Sequence, residues 1–230
     1  MTWVERPSPN HDDRGGAAVD LLLLHYTGMQ SAAAALDRLC DPLARVSAHY
    51  ALDEEGTVYA MVPEARRAWH AGVSYWAGAR DINARSIGIE LVNPGHEFGY
   101  RTFPEAQIGA LTRLCRDILG RHAIAPWRVL GHSDVAPARK DDPGELFPWA
   151  GLAAAGIGFW PAPGADPGEA AVADLLIRYG YDPEAPLEKT VAAFQRHFRP
   201  ARVNGMADDE TRCLLSGLVA AYDAQKGECA

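Results

Sequence analysis

The sequence predicts an α/β protein, a mixed central β-sheet flanked by helices, with a small C-terminal three-helix bundle. Three observations lead there. Short apolar runs alternate with longer segments of helical period, a pattern expected of a sheet with covering helices. Turn residues bound the apolar runs. After Trp149 the composition changes to Gly, Ala and Pro before helical patterns resume.

In chain order, VDLLLLH (19–25) reads as a strand and SAAAALDRLCDPL (31–43) as a helix. AHYALD (48–53) and TVYAMV (57–62) form a hairpin through Glu54, Glu55 and Gly56. SIGIELV (86–92) and WRVLGH (127–132) are further strands. Between them PEAQIGALTRLCRDILGRH (104–122) places Ile108, Leu111, Leu114, Cys115, Ile118 and Leu119 along one helical stripe, opening near Pro104 and closing at Gly120. Residues 1–150 thus form the main domain and residues 151–170, without amphipathic period, a linker. Residues 171–230 hold three helical patterns at 171–182, 187–198 and 208–224, a bundle marginal on its own at about 60 residues.

With 48% hydrophobic residues the chain has ample material for a core, and its net charge of -8, with Lys and Arg scattered singly, excludes a phosphate-binding stripe and so nucleic acid as a partner. No run approaches the roughly 18 apolar residues of a membrane span. The start MTWVERPSPNHDDRGG lacks the basic-then-apolar order of a secretory signal, which favours the cytoplasm. Cys40, Cys115, Cys213 and Cys229 are too far apart for a zinc module and are expected as reduced thiols.

Three expected strands carry a polar residue near their ends that a core strand does not need: His25, Glu90 and His132. Ligands and catalytic groups gather outside strand ends in open α/β sheets, so the three converge on one cleft. The polar loop GHSDVAPARKDDPG (131–144) then returns Lys140 and Asp142. Two imidazoles and one carboxylate, with a fourth position for water, are the ligand count of a catalytic zinc site. Taken singly, a His after an apolar run is more often a core histidine, and an Asp before Pro143 more often a turn residue. An acid within SIGIELV is harder to explain away, because burying it unpaired costs several kcal/mol.

LLLLHYTG, SAHYALDEEGTVYAMVPEARRAWHAGVSYWAG, NARSIGIELVN and GHSDVAPARKDDPGELFPW, in that order, closely resemble the zinc-dependent N-acetylmuramoyl-L-alanine amidases of the amidase-2 type, the AmpD/AmiD-like group, related more distantly to T7 lysozyme and the peptidoglycan recognition proteins. The resemblance spans about residues 18–150. It implies Zn2+ as cofactor, with His25, His132 and Asp142 as ligands, Glu90 as catalytic acid/base and Lys140 as the group that stabilises the transition state. It also implies a muropeptide or peptidoglycan substrate, cut at the amide between N-acetylmuramic acid and L-alanine.

Trp69 and His70 match the family pattern and are expected to line the groove, with metal ligation the alternative for His70. Tyr50 and Asn93 flank motif strands and are expected to contact the substrate, with structural hydrogen bonding as the other reading. LLIRYGYD, VAAFQRHFRP and NGMADDETRCLL resemble the three-helix peptidoglycan-binding domain of cell-wall hydrolases, a tail that would suit periplasmic work. All expected catalytic residues precede Trp149, so the tail is expected to be dispensable for chemistry on small muropeptides. Competing functions are a non-catalytic peptidoglycan receptor and a zinc amidohydrolase of another amide.

Overall fold

Leu21, Leu22, Leu23 and Leu24 are all buried, although a strand turns successive side chains to opposite faces. Both faces of the sheet must therefore be covered, as is usual for parallel strands. The computed structural model, which describes residues 2–228, shows what covers each.

The elements are β1 (Trp3–Glu5), β2 (His11–Asp13), β3 (Leu21–Tyr26), α1 (Ala32–Cys40), β4 (Tyr50–Leu52), β5 (Val58–Ala60), β6 (Arg66–Ala68), α2 (Ile82–Arg85), β7 (Ser86–Leu91), α3 (Gly95–Phe98) and α4 (Glu105–Arg121). There follow β8 (Val129–Gly131), α5 (His132–Val135), α6 (Trp149–Ala154), α7 (Val172–Tyr179), α8 (Leu187–Phe198) and α9 (Asp209–Glu228). Six strands form one sheet in the order β1-β5-β4-β7-β3-β8. The β4–β5 hairpin is antiparallel, and β3 runs parallel to both β7 and β8. The expected mixed sheet is present.

Several elements were not expected from sequence. β2 and β6 pair as a separate two-stranded ribbon, held in part by Arg67 donating to both oxygens of Asp12 at 3.1 Å. Their sequences, HDD and RRA, show no apolar alternation. α1 ends at Cys40 rather than residue 43, because Asp41 precedes Pro42 and takes extended backbone. β8 stops at Gly131, so His132 opens a helix instead of closing a strand.

One face of the sheet, bearing Leu22, Leu24, Ile87, Ile89 and Val129, packs on α4 through Leu111, Leu114, Cys115 and Ile118. Gln107 joins that buried stripe by donating to the carbonyls of Leu52 and Val92. The other face, bearing Leu21, Leu23 and Leu130, packs on Val172, Leu176, Tyr181, Phe194 and Leu218 of the C-terminal segment. The three C-terminal helices fall where the sequence places them, but they share their core with the sheet. The Gly/Ala/Pro segment before them lies along α9: Gly164 N–H donates to the Cys213 carbonyl at 2.8 Å, and a Cβ at Gly217 would meet the Ala162 carbonyl oxygen.

Cys40, Cys115 and Cys213 are free thiols, with burial pushing Cys115 up to about 12; Cys229 lies outside the described residues. Among the described residues no helix is long and apolar enough to cross a membrane.

Candidate metal centre

Strand parity puts the polar residues on the face shared with the C-terminal helices. His25 follows Leu21 and Leu23 in alternation, and β3–β7 register sets it directly beside Glu90. His132 stands at the start of α5, just past β8. Asp142 comes back from the following loop, held by Ser133 N–H donating to its carbonyl at 2.9 Å.

Among the described residues, His25, His132 and Asp142 form a buried group able to hold a metal ion. His25 Nδ1 lies 3.0 Å from His132 Nδ1 and 3.0 Å from Asp142 Oδ2, and His132 Nδ1 lies 3.1 Å from Asp142 Oδ2. Ligands about 2.0–2.1 Å from a tetrahedral zinc stand about 3.3 Å apart, so this triangle is close to the size required.

Which ring nitrogens carry protons follows from the surrounding donors. Ser86 gives its hydroxyl proton to the Ile82 carbonyl at 2.7 Å, leaving its oxygen to accept from His70 Nε2 at 3.3 Å. His70 Nδ1 is then an acceptor, and it takes the Nε2 proton of His25 at 3.1 Å. His25 Nδ1 is left with a lone pair facing His132 and Asp142. His132 Nε2 lies 3.0 Å from the Ala71 carbonyl and 3.3 Å from Arg139 Nη2, and because that guanidinium donates to the same carbonyl, the nearer acceptor places the His132 proton on Nε2 and frees Nδ1. Both rings thus aim unprotonated nitrogens at one point, as metal ligands held by outer partners do. Room for His70 comes from Gly88, where a Cβ would collide with the imidazole.

Electrostatics agree. Burial lowers His25 to about 4 and carries His70 well below the usual histidine range, so both rings are neutral at pH 7. Burial works to raise Asp142, yet its carboxyl, set beside His132 and His25, lies well below the usual carboxylate range and is an anion. Glu90 goes the other way: burial first, then the Asp142 charge, raise its pKa well above the usual carboxyl range, while Lys140 acts against them. Glu90 Oε2 is shielded from solvent and has no hydrogen-bond partner among the described residues.

A cleft of about 600 Å³ opens over this group, and Glu90, His132, Lys140, Asp142, Trp69 and His70 all line it. His70 therefore reaches the groove while also bonding to His25. Tyr50 and Asn93 do not line it. Tyr50 pairs with Ile89 in register, which turns it to the α4 face, where its hydroxyl donates to Glu64 at 2.7 Å. Asn93 is buried and ties a loop, donating to the Arg101 carbonyl and accepting from Gly95 N–H. Ser86 and Asp134 were given no role from sequence. Alternation along SIGIEL places Ser86 on the face of Glu90 and offered a signal for it, whereas the role of Asp134 depends on partners far along the chain.

Fold and site together define an α/β protein with a metal-capable cluster at the strand ends, beside an isolated carboxyl. The model of the amidase-2 family, N-acetylmuramoyl-L-alanine amidase, matches residues 15–145, and the chain belongs to this family. It is 39% identical to the N-acetylmuramoyl-L-alanine amidase AmiD of Escherichia coli (strain K12), over 89% of this chain and 83% of that protein. To the 1,6-anhydro-N-acetylmuramyl-L-alanine amidase AmpD of Enterobacter cloacae it is 34% identical, over 63% of this chain and 84% of that one. The structure of E. coli AmiD in complex with anhydro-N-acetylmuramic acid-L-Ala-D-gamma-Glu-L-Lys has a TM-score of 0.81 at 39% identity, covering 90% of this chain and 92% of that one. AmpDh3 from Pseudomonas aeruginosa has a TM-score of 0.82 at 33% identity, covering 95% and 96%. Coverage of that extent takes in the C-terminal helices.

Proposed function

We propose that this protein is a zinc-dependent amidase that hydrolyses the bond between the lactyl carbonyl of N-acetylmuramic acid and the amine of L-alanine in muropeptides. One observation carries the reading: two histidines fixed with their Nδ1 lone pairs toward a carboxylate, beside a glutamate whose buried Oε2 has no hydrogen-bond partner among the described residues. The solved AmiD complex with an anhydromuropeptide supports the substrate class.

His25, His132 and Asp142 would hold the ion. The chemistry that a bound zinc supplies is polarisation of the scissile carbonyl and a water acidic enough to attack near neutral pH. Glu90 takes the proton that the attacking water gives up and delivers it to the alanine nitrogen as the C–N bond breaks and the new C–O bond completes a carboxylate. Lys140, lining the same cleft and forming no ion pair among the described residues, places an ammonium where negative charge grows on the carbonyl oxygen.

Two carboxylic acids flanking a sugar bond, as glycoside hydrolysis requires, do not fit a cluster in which Asp142 is engaged by both histidines. A non-catalytic receptor would not need the complete set. Mass spectrometry of muropeptides after incubation with zinc-loaded protein tests the reading. The expected products are a free stem peptide with an L-alanine amino terminus and an intact amino sugar. New reducing sugar ends, or muramic acid still carrying L-alanine, would refute it.

A further inference from the structure

The amidase signature ends before residue 150, yet a buried carboxylate inside it is held from the C-terminal segment. Asp134, two residues after His132, is 1% exposed. Its Oδ2 accepts the Gly131 N–H at 2.8 Å, closing the turn from β8 into α5 on which His132 sits. Its Oδ1 accepts the Tyr181 hydroxyl at 2.8 Å, and His197 Nδ1 lies 2.8 Å from Oδ2. A carboxylate buried among apolar side chains is tolerated only when its acceptor positions are filled. Two of the three fillers here come from the C-terminal segment.

His197 is itself fixed, its ring stacked on Trp149 at 3.8 Å and on Phe198 at 4.0 Å. Tyr181 packs edge-on against Trp76 at 5.1 Å. The same segment reaches the other arm of the site, where Arg196 pairs with Asp141, the neighbour of Asp142, at 2.6 Å. Gly131 is packed tightly: an added Cβ would come within 2.8 Å of Pro143 and 3.3 Å of Trp149. The turn bearing His132 and the loop bearing Asp142 are thus wedged between sheet and bundle.

We propose that Tyr181 and His197 are positioning residues for the metal centre: by clamping Asp134 they fix the turn that presents His132, so the C-terminal bundle is a structural part of the site. This rests on the reading of His25, His132 and Asp142 as metal ligands. Neither residue touches the cluster, and both act through Asp134. Loss of an outer partner of a ligand typically weakens metal binding by about 10- to 100-fold.

The test uses the full chain with Tyr181→Phe, His197→Leu and His197→Asn, and Leu218→Ala as an apolar variant of the shared core that removes none of the hydrogen-bond partners of Asp134. Zinc dissociation constants are measured by chelator competition, and the visible spectrum of the cobalt-substituted protein reports ligand geometry. Folding is checked by circular dichroism. Tyr181→Phe and His197→Leu should weaken zinc binding by about 10- to 100-fold and alter the cobalt spectrum. His197→Asn, which keeps an N–H near the Nδ1 position, should recover most of the loss, and folded Leu218→Ala should bind as the parent does. Tyr181→Phe keeps the ring and carries the test alone if His197→Leu does not fold. Parental affinity and spectrum in Tyr181→Phe overturn the clamp, as does an equal loss in folded Leu218→Ala. A parent that takes up no zinc would refute the reading of the ligands, and the clamp with it.

Discussion

His70 accepts the Nε2 proton of His25, and this bond at 3.1 Å is what turns the other nitrogen of His25 toward Asp142. The sequence left two roles open for His70, groove lining and metal ligation. The geometry gives it a further one, orienting His25 in the metal-capable group, and Ser86 behind it sets the tautomer. Three residues spread over β3, the loop after β6 and the start of β7 thus form one chain of hydrogen bonds behind the metal-capable group.

His70→Ala should therefore weaken zinc binding by about 10- to 100-fold while leaving the fold intact. Gly88→Ala should act in the same direction without touching a polar atom, because its Cβ would displace the His70 ring. Chelator competition measures both. An unchanged zinc affinity in His70→Ala would show that His25 holds its tautomer without help.

Glu90→Ala should keep zinc and lose turnover by about 10²- to 10⁴-fold, the range typical of a lost general acid/base. The comparison that decides is metal content against rate on one preparation. Loss of both together would place Glu90 among the ligands instead, and near-parental turnover would assign the proton transfer to another group.

Much of this site is legible in the sequence because its parts sit at the ends of strongly apolar runs, LLLLH and SIGIEL, where a polar residue stands out. Tyr50 and Asn93 show where such reading stops. Nearness to a motif strand does not say which face a side chain takes, and that depends on register: Ala51 pairs with Glu90, so Tyr50 is turned away. The strands β1, β2 and β6 are invisible for another reason, since each has three residues and their charged side chains break any apolar alternation. The α5 turn is made by a side chain, Asp134 bonding to Gly131 N–H, which no hydrophobic pattern encodes.

Stability should depend on Glu64 in acid. Burial works to raise its pKa, but hydrogen bonds from Arg121, His122 and Tyr50 outweigh this and hold it down to about 2, against an ordinary 4.5. A depressed folded-state pKa means that the stabilisation is complete above about pH 4.5 and is lost as pH falls toward 2. Its size is at most about 3 kcal/mol. Denaturant unfolding of the parent and Glu64→Gln should show a gap near pH 6 that narrows by about pH 3. A gap independent of pH would show that Glu64 stabilises by packing and not by its charge.

Cutting the chain near Ala150 tests how far the main domain depends on the tail. From sequence the tail is expected to be dispensable for chemistry on small muropeptides, since every catalytic candidate lies upstream of it. The shared core argues otherwise. Removing the tail uncovers Leu21, Leu23, Leu130, Trp76 and Val135, a contiguous apolar face, and strips Asp134 of Tyr181 and His197. Exposed patches of that kind drive association, and a buried carboxylate that loses its partners destabilises the turn that holds it. The shortened chain should therefore bind a hydrophobic dye, lose cooperative thermal unfolding and hold zinc poorly, as read by calorimetry and metal analysis. A soluble truncation that melts cooperatively and retains parental zinc affinity would show that the main domain closes its second face unaided and that the tail is an accessory.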